Sequence, residues 1–121
     1  MERFSFDADV AFTPHDVLLE RVTIAPLSAP ISERSPFQAA VFRFAPGGRI
    51  ARHIPAGSHS QILAVLEGSG EVRGASGVAE PIAAGDAVCW QAGEEHELKS
   101  AEGLTALIIE GEGLEMFRSP M

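Results

Sequence analysis

The chain has a single cysteine, Cys89, a single lysine, Lys99, and neither tyrosine nor asparagine. A lone cysteine excludes an internal disulfide, and with it the main reason to expect an oxidising compartment. Long hydrophobic runs are missing too: no stretch approaches the roughly 18 apolar residues of a membrane span. The N-terminus lacks the basic-then-apolar order of a secretory signal. These absences predict a cytoplasmic protein without a membrane partner. Basic residues are scarce and scattered, 9 Lys and Arg against 17 Asp and Glu for a net charge of −8. A phosphate backbone would be repelled, so no nucleic acid partner is expected. The acidic residues thicken toward the end of the chain, at Glu94, Glu95, Glu97, Glu102, Glu110, Glu112 and Glu115, and read as a solvated face that aids solubility. Helical periodicity is also lacking, since no window of helix length sustains an apolar repeat near 3.6.

What is present is a rhythm. With 121 residues, 45% of them hydrophobic, the chain reads as one domain over 1–121. Short runs rich in Val, Ile, Leu and Phe recur between Gly, Pro, Asp and Ser. They predict strands at 18–25, 38–45, 49–54, 59–67, 70–74, 78–83, 87–91, 96–100 and 104–110. This spacing is that of an all-β sandwich or barrel, with a barrel core over 38–110. Glycines at 46–48, 67–70, 84–86 and 92–94 supply turn chemistry and are read as closing hairpins. The Pro- and Ser-rich segment 26–36 reads as a connecting loop. Residues 1–16, with Phe4, Phe6 and Phe12, form an N-terminal arm or edge strand. An arm that covers a sheet edge or exchanges between protomers makes a homodimer the expected assembly.

Three of the four histidines fall in two segments, 46–70 and 85–96. Strand alternation places His59, Gln61, Leu63 and Val65 on one face and Ile62, Ala64 and Leu66 on the other. His53 comes just before the preceding turn. If His96 opens a neighbouring antiparallel strand, the side chains of His53, His59, Gln61 and His96 converge. Imidazoles held in a dry pocket suit zinc, iron, manganese, nickel or copper.

The two segments resemble the paired signature motifs of the cupin superfamily, in the short conserved-barrel form. Gly47 and His53 match the opening of the first motif, and 65–70 its closing turn. Gly85, Gly93 and His96 match the second in register. The resemblance implies an all-β fold, a double-stranded β-helix (jelly-roll) cupin barrel. It also implies a divalent transition metal (Zn, Fe, Mn or Ni) in the interior. Pro55 stands where the family has a second histidine, Gln61 where it has a glutamate, Gln91 where it has a proline and Ser100 where it has an asparagine. Some cupins use glutamine as the third ligand. For the lost imidazole two readings stay open: His59 replaces it, or the site has fewer protein ligands.

Neutral ligands would leave a divalent ion's charge uncompensated, so a small oxygen-rich or carboxylate molecule is expected as substrate. Arg43, in an otherwise apolar strand, is a candidate clamp for such a carboxylate, against an exposed edge position. Trp90 is a candidate pocket wall, against core filling. Glu94 and Glu95 could serve as a general base or simply solvate a turn. Cys89 reads as a buried inert thiol, and His15 as an exposed turn residue. Function divides into a metal-dependent enzyme of dioxygenase, isomerase or lyase type and a non-catalytic module that binds or senses a small molecule through a degenerate metal site.

Overall fold

Seven strands carry the chain: β1 (Leu19–Pro26), β2 (Phe37–His53), β3 (Ser60–Arg73), β4 (Glu80–Ala83), β5 (Ala87–Trp90), β6 (His96–Ser100) and β7 (Leu104–Gly111). The computed structural model describes residues 1–118. Among these the only helical piece is one 3-10 turn, Ala8–Val10. No helix of the described residues is long and apolar enough to cross a membrane.

The two long strands organise the fold because each serves in two sheets. Residues 37–44 of β2 pair with β7, whereas residues 48–53 pair with β6. β3 repeats the pattern: residues 60–68 pair with β7, with β5 beyond 61–64, and residues 69–73 pair with β4 and β6. Two antiparallel sheets result, β1-β2-β7-β3-β5 and β2-β6-β3-β4, joined through the bent strands. The architecture is a closed double-stranded β-helix, the jelly roll.

The bends correct the expectation that strands 38–45 and 49–54, and 59–67 and 70–74, are separate. Each pair is one strand, and its glycines turn a corner instead of closing a hairpin. A Cβ on Gly48 would meet the carbonyl oxygens of Ala45 and Arg21 at 2.8 and 2.9 Å, and one on Gly70 the carbonyl oxygen of Lys99 at 2.6 Å. Only glycine fits where the two sheets come this close. β1 follows the same corner by a bulge between Glu20 and Val22, with Arg21 at φ 53°. The turns at 84–86 and 92–94 join strands that do not pair with each other. The hairpins that do exist are β1–β2, through 27–36, and β3–β4, through 74–79.

Inside, Leu63, Leu98 and Ala106 are fully buried together with Val65, Val72 and Leu104. Each large aliphatic side chain so enclosed contributes on the order of 1.5–3 kcal/mol. The N-terminal arm lies along the free edge of β1, where Phe12 and Ile24 exchange two backbone hydrogen bonds of 2.9 Å. The arm covers that edge at Ile24.

Candidate functional site in the barrel interior

Alternation along each strand decides which side chains enter the barrel. On β3, Leu63 and Val65 are buried, and Gln61 shares their parity. On β7, Leu104, Ala106 and Ile108 are buried, and Glu110 shares theirs. The register then stacks the interior in levels. Ile50 lies opposite Leu98, and Leu63 opposite Ile108. One level on, His53 lies opposite His96, and Gln61 opposite Glu110. A register irregularity between Ile50 and His53 reverses the alternation of β2, so both side chains border the same interior hollow.

His53 and His96 meet edge to face with ring centroids 4.6 Å apart, and Trp90 stacks on the other side of His96 at 4.2 Å and 12°. His96 is 2% exposed. Each imidazole is fixed by its own backbone: Nδ1 of His53 lies 2.8 Å from the Ala51 carbonyl oxygen, and Nδ1 of His96 lies 3.0 Å from that of Glu94. A carbonyl only accepts, so Nδ1 carries the proton in both rings and Nε2 keeps its lone pair. Burial holds the pKa of His96 below its ordinary value, and nearby His53 adds to this. The hydrogen bond to the Glu94 carbonyl and the Glu94 carboxylate act the other way without reversing it. His96 is thus kept as the neutral base.

The amide of Gln61 is fixed by the same logic. Its Nε2 donates to Glu110 Oε1 over 2.6 Å. A carboxylate only accepts, so the amide nitrogen faces Glu110 and Oε1 is the free end. Two imidazole nitrogens and one amide oxygen are therefore preset with unused lone pairs. Backbone or carboxylate partners hold each of them, as outer partners hold metal ligands in known sites. Among the described residues no group of three or more His, Cys, Asp and Glu side chains could hold a metal ion. The third donor of this set is an amide, and Glu110 stands behind it.

A hollow of about 290 Å³ opens onto this level, lined by His53, Gln61, His96 and Glu110 and by the apolar Ile24, Phe42 and Ile108. A smaller space of about 40 Å³ adjoins it, bordered by Pro55, His59, Gln61, Trp90, His96 and Glu110. His53 and His59 border different spaces, and His59 precedes β3 instead of lying within it. His59 reaches the neighbourhood of His96 without joining the His53 wall.

The remaining candidates separate clearly. Trp90 is 4% exposed, belongs to the core and borders the smaller space beside His96. Arg43 alternates with Phe42 and Phe44, borders none of the interior spaces, and donates from Nη2 to the Phe6 carbonyl oxygen at 2.9 Å under the N-terminal arm. Its role as an interior clamp is corrected to one that ties down the arm. Glu94 accepts from the backbone amides of Gln91 and Ala75, at 2.9 and 2.8 Å, and Glu95 pairs with Arg52. Both carboxylates are committed to loop structure. Cys89 is half-buried, and His15 is exposed.

Glu110 is the residue that reading the chain missed. By composition it reads as one of the acidic residues of a solvated face, yet it belongs to the interior. The signal was the even-numbered series 104, 106, 108, 110, in which three apolar members predict the side of the fourth.

A family model described as cupin domain matches residues 40–113. Among solved structures the chain is similar to the polyketide cyclase RemF from Streptomyces resistomycificus, at 21% identity, TM-score 0.74, over 99% of this chain and 88% of that one. It is similar to a cupin 2 conserved barrel domain protein from Salinispora arenicola, at 20% identity, TM-score 0.71, over 93% and 90%. A predicted oxalate decarboxylase from Thermotoga maritima follows at 23% identity, TM-score 0.68, over 75% and 80%. Likeness at these identities shows the fold alone. No curated protein matches the chain.

Proposed function

The chain belongs to the cupin domain family, and from that premise we propose that its barrel holds a divalent transition metal ion, Zn, Fe, Mn or Ni, and presents it to a small oxygen-bearing molecule in the adjoining hollow. His53 and His96 would hold it through Nε2, and Gln61 through Oε1. The observation that carries this reading is the fixing of all three donors by Ala51, Glu94 and Glu110. When bound, such an ion acts as a Lewis acid on a coordinated oxygen and lowers the pKa of bound water.

The chain's own residues supply the rest. Glu110 orients the Gln61 amide and places a negative charge beside the donors. It thereby offsets part of the positive charge that three neutral ligands would leave. Trp90 backs His96 and excludes water from that side. Ile24, Phe42 and Ile108 give the hollow an apolar wall. Structural neighbours named as a polyketide cyclase and a predicted oxalate decarboxylase fit the rule that one barrel carries many chemistries.

A second reading, a non-catalytic binding or sensing module, is favoured by the commitment of Glu94 and Glu95 to loop contacts. That leaves Glu110 as the interior carboxylate of this level. Metal analysis after reconstitution with each of the four ions tests the main reading. One ion per chain, lost in His53→Ala and His96→Ala, supports it. A folded chain that binds none of the ions yet retains an organic ligand overturns it in favour of the second.

The reading includes a homodimer, supported by exposed apolar side chains on the arm and near the end of the chain, Phe4 at 69% and Phe117 at 89%. Light scattering at twice the chain mass supports the dimer, and scattering at the chain mass overturns it.

A further inference from the structure

The interior spaces contain carboxylates and no cationic side chain. Asp16, at the rim, and Glu110, within, are the acidic residues bordering the hollow of about 290 Å³. Neither that hollow nor the spaces adjoining it are bordered by Arg or Lys. Arg43, the nearest candidate in sequence terms, faces the arm. A further space of about 300 Å³ shares Ile24, Phe42, Ile108 and Glu110 with the first and adds Phe12, Pro26 and Pro30. Together the two spaces set apolar side chains beside the polar level of His53, His96 and Gln61.

The charge balance selects the ligand. With a divalent ion in place, two carboxylates bring the site to formal neutrality. Without the ion they leave it negative. In neither state does a side chain repay the desolvation of an incoming carboxylate. Apolar walls with a few polar groups at one end are the usual form of a site for a small organic molecule.

Resting on the metal reading above, we propose that the barrel's ligand is an uncharged molecule with an apolar ring or chain body and a hydroxyl or carbonyl oxygen at the end that meets His53, His96 and Gln61. Carboxylates are selected against by Asp16 and Glu110, which makes these two residues determinants of specificity.

The chain provides its own reporter. Trp90 is the only tryptophan, tyrosine is absent, and Trp90 stacks on His96. Its emission can be followed while the full-length protein, metal-free and zinc-loaded, is titrated with three non-absorbing molecules that share one body: cyclohexylmethanol, cyclohexanecarboxylate and cyclohexylmethylamine. The alcohol is expected to give a saturable change and to bind about tenfold or more tightly than the carboxylate in both forms. In the zinc-loaded form the amine is expected to bind no more tightly than the alcohol. Tighter binding of the carboxylate in either form, or of the amine in the zinc-loaded form, overturns the proposal, as does a saturable response to none of the three. Asp16→Asn, at an exposed position whose turn acceptor the amide retains, is expected to narrow the alcohol-to-carboxylate ratio severalfold; an unchanged ratio contradicts the role of Asp16. If zinc fails to bind while the metal-free selectivity holds, the metal reading falls and the ligand class stands.

Discussion

Two adjacent levels of the barrel interior share one backbone and differ in chemistry. Ile50, Leu98, Leu63 and Ile108 make the first, and His53, His96, Gln61 and Glu110 the second, with the same strands paired in the same way. The change from apolar to polar takes one step along β3, β6 and β7, and one irregularity along β2. Stability and the proposed function are therefore separated along the strands, not between domains or loops. The apolar level resists rearrangement and fixes where the polar side chains stand. The polar level adds little cohesion and carries the site.

Substitutions can break this comparison at either level. The largest effect is expected in the apolar level. Leu98 is fully buried, so Leu98→Ala should lower the free energy of unfolding in urea by about 2–5 kcal/mol. Metal affinity of the chains that remain folded should stay within a few fold of the original. A loss of metal as large as the loss of stability would show that the levels are not separable.

A smaller effect is expected in the polar level. Gln61→Leu removes the donor that faces Glu110 and should cost about 1–3 kcal/mol, because it leaves a half-buried carboxylate short of a partner. Adding Glu110→Leu should restore most of that loss, since removing both members of a pair takes away the unsatisfied group. If the double variant loses the sum of the two single losses, Gln61 and Glu110 are not coupled as described.

The smallest effect sharpens the comparison through pH. In the folded, metal-free protein His96 is held below its ordinary pKa of 6.5, so the unfolded chain takes up that proton first as the pH falls. The contribution is fully present above the ordinary value, declines as pH drops through it, and stops declining below the folded value. Unfolding curves from neutral to mildly acidic pH should show this shallow decline, and His96→Gln should flatten it. The apolar-level variant Leu98→Ala should keep the same slope.

Much of the fold was legible because its signal is local. Apolar runs mark where extended chain lies from 18 to 110, but the glycine breaks divide β2 and β3, each of which is one bent strand. What local reading lacked was the partner of each break. Gly48 and Gly70 look like turn glycines in the chain, but they are glycines because another strand's carbonyl oxygen leaves no room for a Cβ. The site divides in the same way. His53, Gln61 and His96 stand in motif positions and share one level of the barrel, whereas His59 precedes β3 and borders a different space from His53. Glu110 lies outside both motifs; the series 104, 106, 108, 110 gives its side, and only register sets it opposite Gln61. For Arg43 the chain leaves an interior clamp and an edge position open, and alternation with Phe42 and Phe44 puts it on the outer face, under the arm.

The most direct test of the polar level as a metal centre is its cobalt(II) spectrum. The metal-free protein titrated with cobalt should develop visible ligand-field bands that saturate at one ion per chain. His53→Ala and His96→Ala should abolish them, and Gln61→Leu should shift them. Bands that never form, or that form equally well without both imidazoles, would contradict the account.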